Sequence, residues 1–403
     1  TPHLAASSRN NRIFVKKKEY GKYFSIFEPF NNKTAMIFKI IVLMLALFFT
    51  SCENKPSRPV TYSIFDVPLD SVESEVWFPE LMATGARRMV NLSSGLCLVG
   101  IDNKSLVYLV DEKTGKELGC AGMVGQGPED MQPYPEYVGK SAKGDTLFLF
   151  DYNERKLNTY EVTQTKEGLP KLKLVEKKNQ ISFQAGKTNT SYMLLRRLAN
   201  GYYVGMSHLS VSDDFLTLLD KDFNVVKTFG EQPLSGLRSG GKVKNYDRFY
   251  GSLYVIGNSI YYAAHHFSYM ARYDIADTGE VTQVWGKQYA KVDYEVYKEW
   301  TIRFKNCEEN LFGFSDIAVG KKHIFATYSG IPIGEMFKNN SYAVEPQTLV
   351  VFNHDGAVLG RFKLSSRSSV ICLSENEEYL YIVNTDPEVQ IERVRVSDIL
   401  KKI

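Results

Sequence analysis

Apolar and polar positions alternate along this chain in short runs that turn residues cut apart. The stretches GLCLVG (95–100), DTLFLFD (145–151), GYYVGMS (201–207), SIYYAAHH (259–266), HIFATYSG (323–330) and YLYIVNT (379–385) are rich in β-branched and aromatic residues. That composition and period predict strands rather than helices. Each run is entered through a turn: Ser94-Gly95, Lys143-Gly144-Asp145, Asn200-Gly201, Gly257-Asn258, Gly320-Lys321 and Glu375-Asn376. Such turns supply the positive φ angles that tight hairpins need. Six hairpins recurring at a period of roughly 55 residues indicate a radial or solenoid repeat.

A second hairpin runs in phase with the first. LVYLVDEKTGKELG, LNTYEVTQTKEG, LTLLDKDFNVVKTFG, MARYDIADTGEVTQVWG and TLVVFNHDGAVLGRF each read as strand, polar turn, strand, and a sixth copy, IERVRVSDIL, runs out at the C-terminus. Two hairpins per repeat make a four-stranded antiparallel blade, so the predicted fold is an all-β, six-bladed β-propeller over 61–403. An open ring would leave exposed sheet edges. An N-terminal strand is therefore expected to close it, with PVTYSIFDVPL (59–69) as the candidate.

Ahead of the repeats lies the most apolar stretch, MIFKIIVLMLALFFTSC (36–52). Its uninterrupted core, Ile40 to Phe49, is too short to cross a hydrocarbon layer of ~30 Å as a helix. With Lys39 before it and small residues after it, the run has the form of a secretory signal. Phe49-Thr50-Ser51-Cys52 resembles the lipobox of bacterial lipoproteins, in which the cysteine is acylated after export. On this reading Met36 is the start, residues 1–35 are an upstream or non-native, disordered segment, 36–52 a lipoprotein signal peptide, and 53–60 a linker.

That division changes the charge balance. The whole chain carries 49 Lys+Arg against 46 Asp+Glu, a net +3. Eight of the bases and two of the acids lie at or before Cys52, so the remainder carries 41 against 44, a net −3. The basic excess belongs to the leader, and nothing points to nucleic acid. The other cysteines, Cys97, Cys120, Cys307 and Cys372, are far apart and form no CxxC, which suits neither a zinc site nor a disulfide framework. Mostly buried free thiols are expected.

GMVGQGPEDMQPY (122–134), HIFATYSG and LVVFNHDGAVLGRFKL (349–364) resemble signatures of TolB-like six-bladed propeller lipoproteins typical of the Bacteroidetes. The resemblance covers most of the chain after Cys52. It implies a cell-envelope propeller, usually without an assigned activity, and it implies no catalytic set.

Motifs for chemistry are few. Gly125-Gln126-Gly127-Pro128-Glu129 lacks the Lys-Ser/Thr of a phosphate loop and reads as a tight inter-blade crossover. His265 and His266, adjacent on a strand, point to opposite sides and cannot chelate one metal together without a bulge. DYNERK (151–156) reads as an ordinary turn rather than a calcium loop, and there is no GxSxG. No catalytic residue, metal ligand or cofactor is assigned. Arginines remain. Arg87, Arg88, Arg196, Arg197, Arg248 and Arg367 precede first hairpins, and first strands of a propeller line its channel. With His265 they form a candidate ligand site at the channel mouth, suited to carboxylate or sulfate groups such as those of acidic sugars. Blade-to-blade salt bridges are the alternative use of the same arginines.

Two classes of function emerge. One is a non-catalytic binding or scaffolding module, held to the membrane through Cys52, without nucleic acid, and partnered by an envelope protein or an acidic carbohydrate at the outer membrane. The insertion IPIGEMFKNNSYAVEPQ (331–347) would widen its recognition surface. The other is a polysaccharide hydrolase or lyase on the same scaffold. A mouth with two carboxylates, or a His-Tyr-Arg cluster, points to the enzyme; an apolar or all-arginine mouth points to binding.

Overall fold

The computed structural model describes residues 63–78, 88–99, 105–127, 130–133, 135–185, 188–190, 192–207, 214–231, 250–297, 301–305, 307–335, 346–384 and 390–403. The chain divides into two compact units, Thr1–Ser57 and Arg58–Ile403, and the described residues all belong to the second.

Six four-stranded antiparallel sheets form the blades of a propeller. From the innermost strand outwards, blade 1 is Arg88–Leu92, Gly95–Val99, Ser105–Val110 and Glu117–Met123. Blade 2 is Glu136–Lys140, Thr146–Asp151, Lys156–Gln164 and Pro170–Lys178. Blade 3 is Tyr192–Arg197, Tyr203–Ser207, Asp214–Leu219 and Val225–Glu231. Blade 4 is Gly251–Ile256, Ser259–Ala264, Tyr269–Ile275 and Val281–Gln288. Blade 5 is Phe314–Val319, His323–Tyr328, Thr348–Asn353 and Val358–Lys363. Blade 6 takes Ser368–Leu373, Tyr379–Asn384 and Gln390–Arg395 from the C-terminal end and its outermost strand, Glu75–Phe78, from the N-terminal end.

All six first hairpins fall where the turn residues predict them. Gly144 sits at φ +70°, and a Cβ there would lie 3.1 Å from the Ser93 nitrogen of the neighbouring blade. The last hairpin differs in detail: Glu377 at φ 59°, rather than Asn376, takes the left-handed position.

An N-terminal strand does close the ring, but it is not the predicted one. Within 59–69, Ile64–Asp66 forms a single 3-10 turn capped by the Ser63 hydroxyl. Leu69–Ser71 then adds to blade 5 as a fifth strand, parallel to Arg361–Lys363. Closure falls to Glu75–Phe78, antiparallel to the last strand, where Trp77 and Phe78 pack into the core between blades 6 and 1. A four-residue strand with a register shift, half of it exposed, gives no alternation for a sequence reading to detect.

The apolar interior is divided among six clusters, one at each blade junction. The physical reason is visible in the second strands: Gly95–Val99 is buried at every position, because a blade's inner sheet is covered on both faces by its neighbours. Alternation with one solvated face is thus lost where the blades are tightest.

Antiparallel order gives the ring two unlike sides. Inner and outer hairpins turn on one, which we call the hairpin side. The links from one blade to the next, and from second to third strands, lie on the other, the crossover side. The longest connections, 232–250, 289–313 and 329–347, all leave and rejoin the sheets at strand ends on the crossover side.

Candidate functional site

The inner strands face the channel, and their polar groups are joined across blades. Arg88, at the start of the inner strand of blade 1, places Nη1 2.6 Å from Asp316 Oδ1 in blade 5. The other oxygen of Asp316 accepts the Ile371 N–H of blade 6 at 3.1 Å. Glu136 of blade 2 pairs with Arg196 of blade 3. Arg196 also donates through Nη1 to the Tyr137 carbonyl at 2.6 Å and through Nε to the Leu253 carbonyl of blade 4 at 3.0 Å. Two clasps, each centred on one arginine–carboxylate pair, therefore touch all six blades.

Bonds outside the two ion pairs complete the ring. The Ser252 hydroxyl of blade 4 donates to the Ser315 carbonyl of blade 5 at 2.8 Å. Asn91 of blade 1 donates its side-chain amide to the Leu373 carbonyl of blade 6. Lys140 of blade 2 donates to the Asn91 carbonyl at 2.7 Å. Every junction between inner strands is thus bridged by at least one side-chain hydrogen bond. Buried polar groups that lack a partner cost more than paired ones gain, so a polar channel of this kind is stable only when closed on itself.

The candidate residues from the sequence separate accordingly. Cys52, Arg87 and Arg248 lie outside the described residues, as do the segments 1–35, 36–52 and 53–60. Arg88 and Arg196 reach the channel, each beside an acid. Burial pulls the Arg88 guanidinium down, but Asp316 and Glu136 outweigh it and the net shift is upward. Arg197, next in sequence to Arg196, turns to the opposite face of the strand and lies 4.9 Å over the Phe148 ring. Arg367 stands half-buried just before the inner strand of blade 6, with a partner of its own. Arg88 opens its strand while Arg196 and Arg197 end theirs. The arginines therefore lie at different depths, which their unequal offsets from the hairpin turns already encode.

His265 follows the second strand of blade 4 on the crossover side. Its backbone N–H donates to the Tyr250 carbonyl, and its ring meets that of Tyr250 edge-on at 4.6 Å. Nε2 lies 3.2 Å from the Ser252 hydroxyl. Since that hydroxyl donates to Ser315, the imidazole is the donor of this pair, and Ser252 is not set up to lose its proton to His265. Burial first, then His266 and Arg88, push the His265 pKa down to about 3, so the ring is uncharged near neutrality. Burial also raises the phenols of Tyr137, Tyr152 and Tyr254. The mouth thus holds a His-Tyr-Arg grouping and two carboxylates, with both carboxylates engaged by arginine.

Channel residues without a counterpart in the sequence reading include Glu136, Asp316, Ser252 and Tyr250. Phase within the repeat does not reveal these partners. Arg88 and Asp316 stand seven and four residues before their turn glycines, and Arg196 and Glu136 five and eight. Paired residues start from different offsets, so only ring closure shows which acid meets which arginine.

The other motifs are accounted for locally. The glycine loop links blades 1 and 2 through a parallel bridge between Val124 and Met131, with Pro128 and Glu129 outside the described residues. Asp130 folds into the loop, and its Oδ2 accepts the Gly127 N–H at 2.6 Å. A Cβ at Gly125 or Gly127 would come within 2.3 or 2.7 Å of that oxygen. The place an anion would occupy holds the protein's own carboxylate. In DYNERK, Asp151 accepts the N–H groups of Asn153 and Glu154 and, from the neighbouring crossover, that of Gln132. Among the described residues no group of three His, Cys, Asp or Glu side chains could hold a metal ion. The four cysteines are free thiols; Cys97 and Cys372 are buried, Cys307 is half-buried and Cys120 is exposed.

The fold is shared with solved structures at low identity. A protein of Bacteroides fragilis, provisionally described as exported, matches with a TM-score of 0.51 at 8% identity, over 81% of this chain and 94% of that one. The β-propeller domain of Cps50 (Swd1) from Myceliophteria thermophila matches with a TM-score of 0.48 at 9% identity, over 80% and 99%. A Lactobacillus plantarum protein matches with a TM-score of 0.44 at 12% identity, over 79% and 84%. No protein-family model and no curated protein matches the chain.

Proposed function

We propose that this chain is a lipid-anchored β-propeller of the cell envelope, of the TolB-like lipoprotein kind, serving as a non-catalytic module that binds or scaffolds a carbohydrate or protein partner. One observation carries the reading: the charged side chains that line the channel are used to join all six blades. A centre committed to holding the ring leaves recognition to the crossover side, where the longest connections leave the sheets. The lipobox-like Phe49–Cys52 supports the address at the outer membrane, and the likeness to an exported protein is in keeping with it.

The test is metabolic labelling with a palmitate analogue in a bacterial host, followed by fractionation and crosslinking in whole cells. The expected result is label in the membrane fraction, lost in Cys52→Ser, together with a discrete crosslinked species. Unlabelled, cytosolic protein would sink the proposal.

A polysaccharide hydrolase or lyase is favoured by the grouping of His265, Tyr250 and Arg88. Release of new chain ends from a polysaccharide, abolished by His265→Ala with the fold intact, would replace the binding module with that enzyme.

A further inference from the structure

The crossover-side mouth of the channel has a chemical character that differs from a ring of bare arginines. Among the described residues, those that reach solvent there include Arg88 and Glu136, with side-chain exposures of 14% and 21%, and the half-buried Tyr250, His265 and Tyr152. Topology brings them together. Arg88 and Glu136 begin inner strands, Tyr250 directly precedes one, and Tyr152 and His265 directly follow second strands. All five positions are therefore at the same end of the channel. Tyr152 is also held firmly, its ring 5.1 Å edge-on from Phe150, and it lies within electrostatic reach of Glu136, Arg196 and Tyr250.

Among the described residues, the channel arginines at this end are matched by carboxylates. Arg88 lies against Asp316 and Arg196 against Glu136. An anionic ligand would have to displace a carboxylate from its arginine and leave that carboxylate half-buried and unpaired, which is strongly unfavourable away from bulk water. An uncharged polyol has no such competitor. It can take hydrogen bonds from guanidinium edges, and give them to carboxylate oxygens, without breaking either pair. Aromatic rings with a few fixed polar groups around them form the usual lining of a small-ligand site.

We propose that the crossover-side mouth of the channel binds an uncharged saccharide, with a sugar ring packed on Tyr250 and Tyr152 and its hydroxyls bonded to Glu136 and Arg88. This rests on the reading of the chain as a binding module and narrows its ligand from acidic to neutral carbohydrate.

The experiment is calorimetric titration of the full chain in mild detergent with neutral gluco-, manno- and xylo-oligosaccharides, and in parallel with uronic and sulfated ones. The expected result is binding of a neutral oligosaccharide that changes less than about twofold between roughly 50 and 500 mM salt, as an uncharged ligand requires. Tyr250→Ala and Tyr152→Ala should each weaken it by about tenfold, and Tyr250→Phe by no more than about twofold, because the ring and not the hydroxyl makes the contact. Thermal unfolding of each variant separates lost binding from lost fold, and the two tyrosines sit on different blades, so one misfolded variant does not remove the test. Binding confined to uronic or sulfated sugars with a steep salt dependence overturns the proposal. So does the absence of any saccharide binding, or binding that both alanine variants leave unchanged. Palmitate labelling at Cys52 is independent of all this: a labelled chain that binds no sugar refutes the neutral-saccharide site and leaves the envelope module standing.

Discussion

Asp316 and Asp111 are the same residue put to opposite uses. Asp111 sits at the rim, in the outer hairpin of blade 1, where its Oδ1 accepts the N–H groups of Lys113 and Thr114 and the Thr114 hydroxyl. All three partners lie within three residues, and the carboxyl is held below its usual range chiefly by the Thr114 N–H. Asp316 sits in the channel and takes Arg88 from blade 1 and the Ile371 N–H from blade 6. The rim carboxylate shapes one turn that water could solvate in its absence. The channel carboxylate joins three blades in a place where water does not easily replace it. The pattern extends to both regions. Asp220 and Asn353 close rim turns on their own backbone, whereas Asn91, Arg196 and Ser252 reach to other blades. Outer strands meanwhile leave Val76, Val175, Val226 and Val284 exposed, as singly scattered surface apolars commonly are.

The contrast fixes an order of effects. Asp316→Ala leaves the Arg88 guanidinium largely buried without its counter-ion and should cost about 3–5 kcal/mol of unfolding free energy, read from denaturant midpoints at constant m-value. A loss below about 1 kcal/mol would mean that the channel clasp does not hold the ring. Next comes acid. His265 has a folded pKa of about 3, below its unfolded value near 6.5. The unfolded chain therefore takes up the proton first. The stability that this neutral ring contributes is complete above roughly pH 6.5 and is lost as pH falls from there towards about 3. Unfolding midpoints measured across that window should fall less steeply for His265→Gln than for the parent chain, and parallel profiles would remove His265 from the account. The smallest effect is at the rim, where Asp111→Ala should cost about 0.5–1 kcal/mol. A loss as large as that of Asp316→Ala would erase the distinction between the two regions.

Much of the fold is legible in local sequence pattern. The six inner turns, the two hairpins per repeat and the blade count all come from it, because a hairpin is specified by a turn residue flanked by two apolar runs. The closing strand is harder to read. Glu75–Phe78 is short and belongs to a sheet whose other members lie some three hundred residues away, and its pairing is decided by Trp77 and Phe78 filling the last junction. The channel is half legible. The arginines can be picked out by position, but whether a guanidinium is free or paired depends on what stands across the ring. Asp316 lies 228 residues from Arg88, and Glu136 sixty residues from Arg196.

The sequence by itself determined the repeat, the strand order within each blade and the need for a strand to complete the ring, since these depend on neighbours in the chain. The tertiary structure decided which strand completes it and which charges meet in the channel. Those outcomes depend on closure, which brings distant residues to one axis and obliges their buried polar groups to find partners there.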